Sequence, residues 1–223
     1  MLRHIAFTAV LFALTLPVGG QEYQVAKLDT PAPTGAVAPE ISSLLQPTGF
    51  KVTKGSSNVV CEFWLAKEWP IAADAKPSAE ILYPLTPGQI IGVARYPKKA
   101  SDFRDQDVPA GTYIVRYAQQ PIDGAHVGTS PTCDFLALLP AAKDRDPKTI
   151  DYKTLIGTSK ETSGAAHPAI LSLQTAEGGG EPPSVREVSE KEWVIVQFVG
   201  KTKQGSATKD LTLALVVVGK AAE

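Results

Sequence analysis

From residue 49 onward the chain consists of short runs rich in β-branched and aromatic residues, at 49–54, 58–66, 89–96, 111–118, 132–139, 168–174, 192–199 and 209–218. Clusters of Gly, Pro, Asp and Ser separate them, the punctuation expected between strands. Weaker runs lie at 79–84 and 184–189. Because side chains alternate across a strand, Tyr113, Val115 and Tyr117 share one face while Ile114 and Arg116 share the other. Cys61, Phe63 and Leu65 likewise oppose Trp64. Leu211, Leu213, Leu215 and Val217 form one apolar face, and the last four residues of that run are apolar on both faces, as in a central strand covered on both sides. The pattern predicts an all-β fold, an antiparallel β-sandwich of about 8–10 strands in a single domain over 49–223.

One short covering helix is expected at 149–162, after Asp146-Pro147, with Asp151 in its first turn, Lys160 near its end and Gly164 beyond. Gly157 and the threonines Thr149, Thr154, Thr158 and Thr162 are poor helix formers, so Tyr152, Leu155 and Ile156 are expected to anchor it. Residues 21–48, rich in Pro, Thr, Ala and Gly, read as a flexible leader with a short helix over 39–46 that aligns Ile41, Leu44 and Leu45. Ahead of it, Arg3, the apolar run 5–16 and the Pro17-Val18-Gly19-Gly20 exit have the three regions of a secretory signal peptide, with cleavage expected between Gly20 and Gln21. As a helix that run reaches about 18 Å, short of the roughly 30 Å hydrocarbon core of a bilayer. The protein is therefore expected to be exported, periplasmic or extracellular, with no transmembrane segment after cleavage.

Composition narrows the chemistry. Twenty-two Lys and Arg against 23 Asp and Glu leave no basic footprint for nucleic acid. A hydrophobic share of 43% is wrong for a disordered chain. Loss of residues 1–20 removes Met1, Arg3 and His4, leaving a net charge of −2, His126 and His167, and Cys61 and Cys133. In an oxidising compartment the two cysteines either bridge two strands or stand as small buried residues; both readings remain open.

Two loops carry the candidate chemistry. Asp102, Asp105 and Asp107 place three carboxylates within six residues, the oxygen density of a Ca²⁺ loop without the glycine and terminal glutamate of an EF-hand. Arg104, Lys98 and Lys99 lie close enough in sequence to neutralise them instead. The second loop holds Asp123, His126 and Ser130 and leads to Asp134; His126 could serve as base, ligand or loop-organising donor. Ser130 lacks the second glycine of a G-x-S-x-G elbow. His167 is a candidate metal ligand with His126, although no C-x-x-C or H-E-x-x-H spacing is present. Trp64, Trp69 and Trp193 are either core residues or stacking platforms for sugars.

The Asp102-Phe103-Arg104 stretch and the Pro109-Ala110-Gly111-Thr112-Tyr113 turn resemble exported bacterial β-sandwich families, and the turn also resembles transthyretin-like and carboxypeptidase-regulatory-like modules. The resemblance implies a β-sandwich and an envelope location and carries no catalytic residues with it. The leading expectation is a non-enzymatic binding or structural protein at the cell envelope, with an envelope protein or a glycan as partner. The alternatives are a metal-binding protein using His126, His167 or the Asp102–Asp107 loop, and a hydrolase using His126 with Ser130 or Asp134. No cofactor is singled out.

Overall fold

The computed structural model describes residues 22–72, 77–78, 81–121, 132–178 and 180–221. The first half contains β1 (Tyr23–Leu28), α1 (Pro39–Ser42), β2 (Gly49–Lys54), β3 (Asn58–Leu65), β4 (Trp69–Pro70), β5 (Ile90–Tyr96), β6 (Ala100–Ser101) and β7 (Asp107–Val108). The second contains β8 (Gly111–Gln119), β9 (Asp134–Pro140), α2 (Tyr152–Ser163), β10 (Ile170–Gln174), β11 (Ser184–Val188), β12 (Trp193–Gln204) and β13 (Ala207–Val218). The all-β expectation holds. Strand count alone suggests two packed sheets; hydrogen bonding instead runs unbroken through ten strands in the order β1-β2-β3-β5-β8-β9-β10-β13-β12-β11. A separate β6–β7 pair carries the acidic loop.

This sheet curls. Register shifts at Val52/Thr53, Ile90/Gly92 and Val194/Ile195 add local twist. β10 forms a corner, pairing β9 through Ile170–Ser172 and then β13 through Leu173 and Gln174. The curl brings the first strand against the last: the Tyr23 N–H donates to a Glu187 carboxylate oxygen at 3.0 Å. The concave side is filled by one apolar cluster drawn from alternate positions, among them Val52, Cys61, Phe63, Val115, Tyr117 and Leu215.

Each convex face is covered. Val37, Ala38, Ile41 and Leu45, around α1, bury Trp64, Val93 and Ile114. The irregular leader expected over 21–48 is thus corrected: Tyr23–Leu28 pairs with β2 in full register, and the α1 stretch packs on the sheet because its few apolar residues complete this face. On the other side, Leu155 of α2 packs against Phe135, Ala137 and Leu139. The helix starts at Tyr152, three residues later than expected, because Asp151 is its N-cap and accepts from the Thr154 N–H at 3.0 Å. It ends at Gly164, whose φ of 67° only glycine adopts cheaply. Two buried hydroxyls pin its inner face, Ser159 to the Ala169 carbonyl (3.0 Å) and Thr162 to the Leu138 carbonyl (2.7 Å).

Trp64, Trp69 and Trp193 are all buried, so none is a sugar platform. Trp69 fits beside Gly200 of β12, where a Cβ would overlap its ring, and donates to the Ile91 carbonyl at 3.0 Å. Of the two readings open for the cysteines, the Cys61–Cys133 bridge is absent from the fold. Cys61 is in β3 and Cys133 directly precedes β9, and β5 and β8 lie between those strands. Three strand spacings of about 4.8 Å exceed the roughly 7 Å limit between bridged Cα atoms.

Candidate functional site

The acidic loop does not assemble a cation site. Asp102 is 1% exposed and turned inward. One carboxylate oxygen accepts from the Arg104 and Gln106 N–H groups (2.9 and 2.8 Å), the other from the Ile170 N–H and the Gln106 amide (both 2.9 Å). Burial pushes its pKa up, and these donors oppose that rise. Asp105, at φ 60°, pairs with Lys220 at 2.8 Å, and Asp107 pairs with Lys99 at 2.7 Å. The three carboxylates diverge because each satisfies a different local partner. Among the described residues, no group of three His, Cys, Asp or Glu side chains could hold a metal ion.

Asp134 is also an organiser. Its Oδ1 accepts from the Tyr117 hydroxyl (2.5 Å) and the Tyr83 N–H (3.3 Å), and its Oδ2 from the Leu82 N–H (2.7 Å). These bonds hold Leu82 and Tyr83 against the start of β9, and Tyr83 and Leu85 are buried in the main core. The expected weak strand over 79–84 is therefore an irregular segment in its described part. Burial raises the pKa of Asp134, and pushes the Tyr83 phenol up to about 12. Asp134 thus holds a segment in place, whereas its suggested hydrolytic partners His126 and Ser130, with Asp123, lie outside the described residues.

Two clefts flank the acidic loop. The larger, about 510 Å³, lies where β1 meets β11 and takes Asp102 and Asp105 into its wall. Several of its charges are engaged within the fold: Lys54 with Glu22 (3.1 Å), Lys220 with Asp105, and Lys191 over the Trp193 ring at 4.4 Å. The smaller, about 180 Å³, lies beside α2 and takes Arg104 and His167. Thus His167 shares a cleft with Arg104 but not with the loop carboxylates.

No protein-family model matches this chain, and no curated protein or solved structure matches it.

The α2 cleft combines an apolar floor with a cationic rim. Phe135 and Ile170 come from the sheet, Ile156 from the helix, and Arg104 and Lys160 supply the two cations, with the His167 imidazole in the same lining. No Asp or Glu lines it among the described residues. Tyr152, at 45% exposure, is the one exposed aromatic side chain among the described residues. The sequence suggests Tyr152 as a helix anchor; Leu155 takes that part, and Tyr152 stands on the cleft face one turn before Ile156 and two before Lys160. The i, i+4, i+8 spacing of Tyr152, Ile156 and Lys160 places them on one face of the helix. Among the described residues, no helix is long and apolar enough to cross a membrane.

Proposed function

We propose that this chain is an exported, non-enzymatic binding protein that takes a small ligand in the cleft between α2 and the sheet. The observation carrying this reading is the cleft's make-up: apolar Phe135, Ile156 and Ile170 lie in one hollow with the polar side chains of Arg104, Lys160 and His167. In this reading the curled sheet acts as a flattened sandwich whose facing halves press on one core, with the ligand outside that core. The N-terminal leader and the resemblance around Pro109–Tyr113 support an envelope location; in that turn the Tyr113 hydroxyl donates to the Pro109 carbonyl at 2.6 Å, bracing the entry to β8. With the three tryptophans buried, binding of a glycan by tryptophan stacking is not part of the proposal.

Two experiments test it. Expressed with its leader in a bacterial host, the chain should be recovered outside the cytoplasm beginning at Gln21; cytoplasmic chain beginning at Met1 counts against export. A small-molecule thermal-shift screen should return compounds that raise the wild-type Tm and leave Ala166→Trp, which fills the cleft from its exposed rim, unchanged. Compounds that stabilise both proteins equally bind elsewhere and overturn the site.

A further inference from the structure

Resting on that reading of the α2 cleft, we infer that its ligand is an anion: a carboxylate or phosphate head on a small apolar body of about one aryl ring. Arg104 and Lys160 form no ion pair among the described residues, whereas Lys54, Lys99, Lys143, Lys203 and Lys220 each meet a carboxylate. Acids near the cleft residues in sequence are committed elsewhere. Asp102 is turned inward onto four donors, Asp105 is held by Lys220, and Glu161 is drawn to Lys143 at 3.4 Å. Two cations are therefore left facing a cleft that contains no described carboxylate, in a chain whose net charge is −1.

The surroundings strengthen that preference. Arg104 is half-buried beside Phe135 and Ile170, where fewer waters screen a charge than at an open surface. Its guanidinium offers a fork matched to two oxygens of a carboxylate or phosphate, and Lys160 adds a mobile point charge from the helix. About 180 Å³ is below the 300–1,000 Å³ usual for drug-sized ligands, which limits the apolar body to a ring or short chain.

Calorimetric titrations with phenylacetate, phenyl phosphate and the neutral benzyl alcohol test the inference on wild type, Arg104→Gln/Lys160→Gln, the charge-preserving Arg104→Lys/Lys160→Arg, and Ala166→Trp. Both anions should bind at least tenfold more tightly than the alcohol, and added salt should shrink that gap. The Gln pair should erase the preference with an unchanged Tm, the charge-preserving pair should keep it, and Ala166→Trp should abolish binding. Benzyl alcohol binding wild type as tightly as the anions would overturn the charge inference and leave the cleft as the site. Anion binding that survives Ala166→Trp, or no binding by any of the three probes, would overturn the inference and the site together.

Discussion

The seam cleft is nearly three times the volume of the α2 cleft, at about 510 against 180 Å³, yet the smaller one has the character of a binding site. The difference is in charge pairing. In the seam cleft Lys54, Lys220 and Glu187 each answer a neighbour within the fold, so the ligand-like interactions are already made. In the α2 cleft the cations face an apolar floor and no described carboxylate. A matched charge is already satisfied within the fold, and an unmatched one at the edge of an apolar hollow is available to something else.

That contrast predicts a graded set of costs. The largest falls on the most completely matched group, Arg116, which is fully buried. It donates to both Asp144 oxygens at 2.6 and 2.8 Å and to the carbonyls of Gly88, Asp146 and Lys148, using all five N–H groups. Arg116→Ala should cost about 3–5 kcal/mol in urea unfolding, because it strands a buried carboxylate and three carbonyls. An Arg116→Ala variant within 1 kcal/mol of wild type, on the order of one hydrogen bond, would break the link between matching and stability.

Asp102→Ala comes next, at about 3 kcal/mol, from several donors left without an acceptor; Asp102→Asn should cost less, since it keeps one oxygen. The sharper test of buried carboxylates is pH. Asp102 and Asp134 ionise at a higher pH folded than unfolded, so the unfolded chain loses these protons first. Their contribution is therefore most favourable below the ordinary carboxylate value of about 4, and declines as pH rises from there through the raised folded values. The wild-type advantage over Asp134→Asn should shrink across that window in denaturant melts at successive pH values; an advantage that grows with pH would reverse the assignment.

At the small end, Lys220→Ala removes an exposed pair and should change stability by less than about 1 kcal/mol. Arg104→Gln/Lys160→Gln should shift it even less while altering anion binding. A large loss of stability in that pair would erase the distinction between the two clefts.

Much of the fold was legible in the chain's alternation. Tyr113, Val115 and Tyr117 do point to one core, and Leu215 to Val217 are covered on both faces by the flanking layers. What alternation cannot carry is the closure, because whether β10 ends one sheet or turns a corner depends on which neighbours meet its two halves. β1 escaped notice because Lys27, Gln24 and its Pro-rich surroundings outweigh Tyr23 and Val25 locally, while its stability comes from β2. At the site, the sequence singled out Arg104 and His167 for other reasons, as a neutraliser of carboxylates and as a metal ligand. It could not tell that Asp102 turns inward and leaves Arg104 to a cleft, because that outcome depends on the Ile170 N–H, 68 residues away.

The central claim is that an anion enters the α2 cleft and not the larger seam cleft. An NMR titration with phenyl phosphate reads both at once, through the Arg104 Nε–H signal beside α2 and the Trp193 indole N–H, which donates to the Lys220 carbonyl at the seam at 2.7 Å. An anion in the α2 cleft should move the Arg104 signal saturably and leave the Trp193 signal still; movement of Trp193 with Arg104 unmoved would place the anion at the seam instead.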